Sequence, residues 1–330
     1  MHRLVMLMSI LSLIFIWNCE QSTDNLSDQQ SMDKEAIQLA INDSLDLYFD
    51  ILDDVSEANI LNDDPNWLGG SIPLGKVAED RYRFGRIRTR ATERKVDIVL
   101  DSDSTATAYV HTTMGGYFLI IKSTTGGDST SYERYQKPMV HEIDRIVKLV
   151  NVNYMKNVNM TPRDHKRRGW RIRAISLADG YSPDKNVVIE RLSILAAGID
   201  TVEIDDPLNY FVGGFHFFRF PRWEDVILRV QVKNNTPNPV VYPENTEGTE
   251  QVLLHYGRNL HGDFARTHFK WVEKIGDSNV YEVKWTVRQF LGLHHIVIDV
   301  IDNETIMQPN ADIYPYESNT WSSPYHVATF

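Results

Sequence analysis

Three arginines at alternate positions are the most unusual chemical feature of this otherwise acidic sequence. Arg86, Arg88 and Arg90 lie in the run RYRFGRIRTRATERK, residues 81–95, of a chain whose formal net charge is −11. If the run is extended, alternate side chains project from one face, and guanidinium groups bind phosphate or carboxylate groups through paired hydrogen bonds. The sequence therefore offers a possible anion-binding strip. Ion pairing of these arginines with neighbouring Asp and Glu side chains is the alternative.

Aromatic and histidine side chains on predicted strands are the candidates for lining a pocket. They are Tyr109, His111, Tyr117, His141 and Trp170. A histidine titrates near neutral pH and can act as a general acid or base, so this set permits proton transfer. Packing inside a sheet core is the competing interpretation, because strand aromatics are usually buried. We assign no catalytic residue from these positions.

Two passages that mimic known sites each fail at a required position. GSIPLGKV, residues 70–77, has phosphate-loop spacing but ends in Val77, where magnesium binding needs Ser or Thr. HEIDR, residues 141–145, begins like a zinc-binding H-E-x-x-H but has Arg145 in place of the second histidine. The sequence also has a single cysteine. We therefore predict no metal site and no cofactor.

That cysteine, Cys19, closes an apolar run over residues 4–17 that follows a short basic start. The run has the length of a signal-peptide core and is short for a membrane-spanning helix. Its end, IWNC at 16–19, resembles the lipobox of bacterial lipoproteins. This resemblance implies a signal peptide over 1–18, lipidation of Cys19 and a polar tether over 19–32. An ordinary secretory signal with an incidental cysteine is the alternative.

The charge balance limits the partners that the mature chain can have. Without residues 1–18 the formal net charge becomes −12, because one arginine and no acid are removed. An acidic surface argues against nucleic acid, which requires a dominant basic surface. The expected partners are the membrane, through the N-terminal lipid, and another envelope protein or an anionic envelope polymer. The expected location is the bacterial cell envelope, periplasmic or surface-facing.

The elements of the first half predict an α+β domain over residues 33–185. Apolar residues spaced by three and four predict a helix over 33–55, and alternating patterns predict strands near 96–121, 137–152 and 169–177. This order, with the run GWRIRAIS, resembles the NTF2-like fold, a cone-like curved antiparallel sheet around a helix. That resemblance implies a pocket inside the cone.

The second half, residues 186–330, has an all-β pattern. About seven short alternating runs, separated by turns such as Gly276-Asp277, are typical of a β-sandwich. Their order resembles bacterial immunoglobulin-like modules, which implies an Ig-like sandwich without an inter-sheet disulfide. Together these features predict a lipid-anchored, non-catalytic binding or interaction scaffold. The alternative is an enzyme or carrier of isomerase, dehydratase or hydrolase type that uses the NTF2-like pocket for a small molecule.

Overall fold

The computed structural model describes residues 28–44, 72–73, 80–89, 92–126, 129–156, 158–196, 199–213, 217–258 and 265–329. Its helices are α1 (28–42), α2 (Pro162–Lys166) and α3 (Asn303–Met307), with a 3-10 turn at Val152–Tyr154. The strands of the first part are β1 (Ile72–Pro73), β2 (Asp80–Arg88), β3 (Glu93–Ser102), β4 (Thr105–Gly126), β5 (Ser129–Asn151), β6 (Trp170–Ser176) and β7 (Ala178–Tyr181). The remaining strands are β8 (Val187–Ala196), β9 (Ile199–Ile204), β10 (Phe211–Val212), β11 (Phe218–Pro221), β12 (Asp225–Asn234), β13 (Glu250–Arg258), β14 (Ala265–His268), β15 (Lys270–Ile275), β16 (Ser278–Thr286), β17 (Gly292–Asp302) and β18 (Ser318–Ala328).

The strands form a large sheet and a small one. Among the described residues, thirteen strands make the large sheet, whose main order is β1-β2-β4-β5-β7-β18-β17-β13-β14. Off this path, β3 pairs with β4, β6 with β5 and β10, and β11 runs parallel to β18. The small sheet has the order β15-β16-β12-β8-β9. The large sheet therefore contains strands from both sides of residue 186.

Period-two alternation explains why these segments form strands. In β12, the central strand of the small sheet, Val226, Leu228, Val230 and Val232 are buried while Arg229 between them is exposed. Successive side chains of a strand point to opposite faces, so this pattern buries one face and leaves the other in water. The alternation in the sequence thus sets which face of the small sheet packs inward.

The large sheet curls strongly. Arg86 on β2 and Asp299 on β17 contact each other, with 2.5 Å between Nη1 and Oδ2. Five strand-to-strand steps separate β2 from β17, a distance of about 24 Å in a flat sheet with strands roughly 4.8 Å apart. The sheet must therefore curve until its first and later strands face each other. Phe84, Phe118 and Tyr316 belong to the apolar cluster beside this ion pair.

Two glycines permit close approaches that the curled sheet requires. A Cβ atom at Gly116 would lie 2.0 Å from the carbonyl oxygen of Ile87 on β2. A Cβ atom at Gly180 would lie 2.2 Å from Thr320 Oγ1 and 2.6 Å from His141 Nε2. These distances are far below van der Waals contact, so neither position accepts a side chain without movement of its neighbours.

The chain divides by internal contacts into two units. The smaller unit has described residues 28–44, Asp97–Ala108 and Lys148–Arg173, and the other described residues form the larger unit. In the smaller unit α1 is held by polar contacts: Trp170 Nε1 donates to Asp33 Oδ1 (3.3 Å), and Arg167 Nη2 donates to Asp43 Oδ2 (2.9 Å). The ion pair at Asp43 lowers the pKa of that carboxyl group.

The predicted fold class is wrong. The protein is mostly strand, and no sheet wraps around a central helix in the described residues. The predicted Ig-like sandwich fails as well, because β13, β14, β17 and β18 join the large sheet while β8, β9, β12, β15 and β16 form the small one. Alternation predicts which face of a strand is buried but not which strand lies beside it, so the elements were assigned to the wrong sheets.

Several individual elements are confirmed. The long strand predicted over 137–152 corresponds to the second part of β5, which ends at Asn151, and the strand near Trp170 is β6. Strand β4 runs continuously through Gly115-Gly116, although paired glycines are a turn signal in a sequence. Helix α1 begins at residue 28, before the predicted start, and residues 45–55 of the predicted helix lie outside the described residues. No helix in the described part of the chain is long and apolar enough to cross a membrane.

Candidate functional site

A polar patch on one face of the large sheet is the candidate functional site. The pairing of β5 with β7 places Asp144 opposite Asp179, and the pairing of β7 with β18 places Asp179 opposite Trp321. Residues directly opposite each other in an antiparallel pair share a face. Tyr181 and Asn319, which also pair directly, lie two positions further along β7 and β18 on the same face. Three neighbouring strands thus present these residues on one face.

A chain of hydrogen bonds runs across this face. His111 Nδ1 lies 2.8 Å from Asp144 Oδ1, and Tyr181 OH donates to Asp144 Oδ2 at 2.6 Å. The other imidazole nitrogen, Nε2, lies 3.4 Å from Thr113 Oγ1. The side chains of His111 and Asp144 are 40% and 33% exposed, so solvent and solutes reach them. A carboxylate that orients an accessible imidazole is the arrangement needed for proton transfer.

Tyr181 connects this chain to a cleft of about 270 Å³. Residues that line the cleft include Asp179, Tyr181, Lys185, Asp205, Asn319 and Trp321. Burial, and next the hydrogen bond to Asp144, raise the pKa of Tyr181 well above its usual range. The phenol therefore stays protonated and keeps donating to Asp144. The aromatic ring remains available as a wall of the cleft.

Lys185 places its ammonium group against this wall. Its Nζ atom lies 3.4 Å from the centre of the Tyr181 ring, within the range of a cation–π interaction. The backbone of Lys185 is in the left-handed region, with φ of 51°, which is uncommon for a residue with a side chain. The turn is closed by the hydrogen bond from Lys185 N to the carbonyl oxygen of Ser182, at 3.0 Å. The strained backbone of Lys185 therefore lies where its ammonium group lines the cleft.

Asp179 supplies a carboxylate beside the aromatic wall. Burial raises the pKa of Asp179, whereas the hydrogen bond from Asn319 Nδ2 (3.1 Å) and the charge of Lys185 act in the opposite direction. A buried carboxylate gains most from a positive charge placed close to it. The cleft thus combines an electron-rich ring with acids, which is the composition that recognises organic cations.

The predicted arginine strip is divided between two environments. Arg86 is buried and forms a bidentate ion pair with Asp299, with 2.5 and 2.7 Å between the paired atoms. Its Nε donates to Tyr316 OH at 2.6 Å. Arg88 is exposed and donates to Thr92 Oγ1 (3.1 Å), and Arg90 lies outside the described residues. Arg86 therefore belongs to the interior and is not part of an exposed strip.

The interior around Arg86 is a closed network of polar groups. His255 Nε2 lies 3.1 Å from Asp299 Oδ2, and His141 Nδ1 lies 3.1 Å from Tyr316 OH. Burial alone would raise the pKa of Asp299, but the charge of Arg86 lowers it below its usual range. Burial, reinforced by the charge of Arg86, lowers the pKa of His141 to about 3. The network therefore holds one ion pair and a neutral His141.

The predicted pocket residues do not meet in one pocket. Tyr109 is exposed, Tyr117 is partly buried beside Leu119 and Ile121, and His141 is in the interior network. Trp170 is in the smaller unit, and Cys19 lies outside the described residues. His111 alone of the predicted set reaches the polar patch. No group of three or more metal-ligating side chains is present among the described residues.

The sequence reasoning missed the residues that build the cleft. Asp179, Tyr181 and Lys185 stand within seven positions in the run DGYSPDK. That run carried a turn signal, because Ser, Pro and Asp are typical turn residues, and the signal predicts a connection between two strands. Trp321 and Asn319 gave no comparable signal, since their role depends on β18 pairing with β7.

Comparison with known proteins gives no family. No family model matches the chain, and no curated protein matches it. Among solved structures, one similar chain is astrotactin-2, described as a conserved vertebrate-specific and perforin-like membrane protein involved in neuronal development. The alignment covers 85% of this chain and 70% of that chain, at 9% sequence identity and a TM-score of 0.21. A TM-score this low supports no conclusion about fold or function.

Proposed function

We propose that this chain is a lipid-anchored protein of the bacterial cell envelope that binds a small, amine-bearing cation in the cleft at Tyr181. The anchor rests on Cys19 at the end of the apolar run. Labelled palmitate should enter the wild-type chain and not the Cys19→Ser variant when each is expressed in bacteria. Equal labelling of the two, or labelling of neither, would remove the anchor from the proposal.

The observation that carries the binding proposal is the position of Lys185. Its ammonium lies 3.4 Å from the Tyr181 ring centre, in a cleft that Asp179, Asp205 and Asp206 also line. Asp205 is partly committed, because it accepts from Arg191 Nε at 2.6 Å. A ligand ammonium would make the same contacts that Lys185 makes now. Lys185 therefore acts as an internal competitor that an incoming cation displaces.

Calorimetric titration with pairs of related compounds that differ in charge tests this. Putrescine is compared with 1,4-butanediol, and glucosamine with N-acetylglucosamine. We expect binding of the amines and at least roughly tenfold weaker binding of the neutral partners, as loss of a desolvated cation–π contact implies. Asp179→Asn should weaken amine binding. Lys185→Ala should strengthen it, because the competing ammonium is gone.

The Lys270→Ala variant is the matched control. Lys270 is exposed and is on β15, at one edge of the small sheet, whereas β9 is at the opposite edge. Removal of Lys270 changes the net charge by the same amount and should leave the affinity unchanged. If Lys185→Ala weakens binding, or if neutral partners bind as well as amines, the cleft does not select cations.

A second candidate function is acid–base catalysis at the same face. The observation that favours it is the contact of His111 with both Asp144 and Thr113. An enzyme would convert the bound molecule, which mass spectrometry of the incubated mixture detects. Conversion that His111→Gln abolishes while calorimetric binding persists would favour this candidate over pure binding.

A further inference from the structure

Two neighbouring turns of the larger unit expose an apolar tip, which we define as Trp223, Phe290 and Leu291. These side chains are 62%, 71% and 55% exposed. Backbone hydrogen bonds link the turns: Trp223 N donates to the carbonyl oxygen of Val287 (2.7 Å), and Val287 N donates to that of Glu224 (2.9 Å). A hydrogen-bonded pair of turns thus presents three large, exposed apolar side chains.

The backbone at Trp223 gives an independent sign of function. Its φ of 74° is in the left-handed region, where a bulky side chain is a genuine outlier. Glycine would suit this position without strain, and a polar residue would suit its exposure. Neither the backbone conformation nor the solvent exposure of this position therefore explains a tryptophan. Backbone strain of this kind is concentrated at functional positions.

The charges of the tip favour an anionic partner. Arg222 lies against both aromatic rings, with its Cζ atom 4.8 Å from the centre of Trp223 and 5.6 Å from that of Phe290. The two turns themselves, residues 222–224 and 287–291, carry two cations, Arg222 and Arg288, and one acid, Glu224. Asp225 is paired with Lys284 Nζ at 2.7 Å. The turns that carry the tip thus have a formal charge of +1 in a chain whose formal charge is −11.

We propose that the tip binds the surface of an anionic membrane, with its three apolar side chains in the interfacial layer. Tryptophan is enriched at the level of the lipid headgroups, and arginines beside it pair with lipid phosphates while their stems remain in apolar surroundings. This contact involves neither the cleft nor an acyl chain on Cys19, so it goes beyond the proposed function.

Vesicle co-sedimentation tests the tip. The chain from residue 19 onward, with Cys19→Ser so that no acyl chain contributes, is mixed with vesicles of phosphatidylglycerol and phosphatidylethanolamine or of phosphatidylcholine. We expect binding to the anionic vesicles that weakens with salt, and at least roughly tenfold weaker binding to phosphatidylcholine, because each arginine near an anionic surface contributes about a factor of five.

Trp223→Gly separates a binding role from a structural one. Glycine removes the ring and relieves the left-handed backbone, so the melting temperature should stay the same or rise while vesicle binding falls at least about tenfold. Phe290→Ser should also lose binding. Ile313→Ala, which removes another exposed apolar side chain, should bind like the parent.

Two outcomes would overturn the proposal. The first is a parent that does not bind anionic vesicles at low salt. The second is a Trp223→Gly variant that binds them as the parent does. If the parent does not bind vesicles but forms a complex with an envelope protein through Trp223, the tip is a protein interface.

Discussion

The inner and outer faces of the large sheet carry the same residue types in different surroundings. On the inner face His255 contacts Asp299, and on the outer face His111 contacts Asp144. Each group also includes a tyrosine. On the inner face Tyr316 OH accepts a hydrogen bond from Arg86, and on the outer face Tyr181 OH donates one to Asp144. The inner side chains are almost fully buried, whereas those of His111 and Asp144 are 40% and 33% exposed.

This difference shows that burial, more than residue type, determines the role of a histidine–aspartate pair. Inside, hydrogen bonds from Arg86 to Asp299 and Ser318 take the place of hydrogen bonds to water. Outside, His111 and Asp144 keep contact with water and adjoin the cleft through Tyr181. A histidine–aspartate pair is therefore structural in one place and available for chemistry in the other.

Removing the inner carboxylate should have the largest effect. Asp299→Asn keeps the shape but leaves the buried Arg86 charge without its counter-ion, so we expect a loss of about 3–5 kcal/mol in the free energy of unfolding. Urea denaturation followed by circular dichroism measures it. Asp144→Asn, the matched outer variant, should lose about 1 kcal/mol or less.

The double variant Arg86→Met/Asp299→Leu is the control for this comparison. Because it removes both charges, it should be more stable than Asp299→Asn, and it also provides a measurable species if the single variant does not accumulate. A loss for Asp299→Asn no greater than that for Asp144→Asn would mean that burial does not separate the two faces.

The inner histidine should make stability depend on pH. The pKa of His141 is about 3 in the folded chain, below its ordinary value of 6.5, because it is buried near Arg86. As pH falls below 6.5, the unfolded chain takes up a proton that the folded chain does not, so this residue destabilises the fold. Between pH 7 and pH 5 the loss is about 2 kcal/mol.

Comparison of two variants isolates this effect. His141→Gln should have a shallower decline in the free energy of unfolding from pH 7 to pH 5 than the parent, whatever its absolute stability. His111→Gln, the outer counterpart, controls for loss of a histidine as such. Parallel pH curves for His141→Gln and the parent would contradict a neutral, buried His141.

Local pattern predicted the strands well and their partners poorly. The alternation over the second half of β5 is visible in the sequence because it arises from the burial of one face of the strand. The curling of the large sheet is not visible there. It depends on contacts such as Arg86 with Asp299, which are separated by 213 positions and have no local signature.

The same limit applies to the candidate site. His111 was identified because its residue type can do chemistry, yet the same reasoning selected His141, which is buried beside Tyr316. Only the register of β5 with β7 brings Asp144 to the face that carries Tyr181 and Asp179. Residue chemistry therefore predicts candidates, while long-range strand pairing decides which of them share a site.

The smallest effects on stability are expected on the outer face. There the hydrogen bond of the Tyr181 hydroxyl can be separated from the cation contact of its ring. Tyr181→Phe removes the hydrogen bond to Asp144 Oδ2 but keeps the ring under Lys185. We expect a loss of about 0.5–1.5 kcal/mol in the free energy of unfolding, since a typical hydrogen bond contributes that much. Because the ring makes the cation contact, putrescine affinity should change less than about threefold.

Tyr181→Ala removes the ring as well, so calorimetry should show putrescine binding at least roughly tenfold weaker than in Tyr181→Phe. This pair of variants tests whether the outer face binds through its aromatic wall or through its hydrogen-bond chain. If Tyr181→Phe lost as much affinity as Tyr181→Ala, the chain from His111 through Asp144 would be the binding element. The outer face would then depend on a closed hydrogen-bond network as the inner face does, and the distinction between the two faces would rest on solvent access alone.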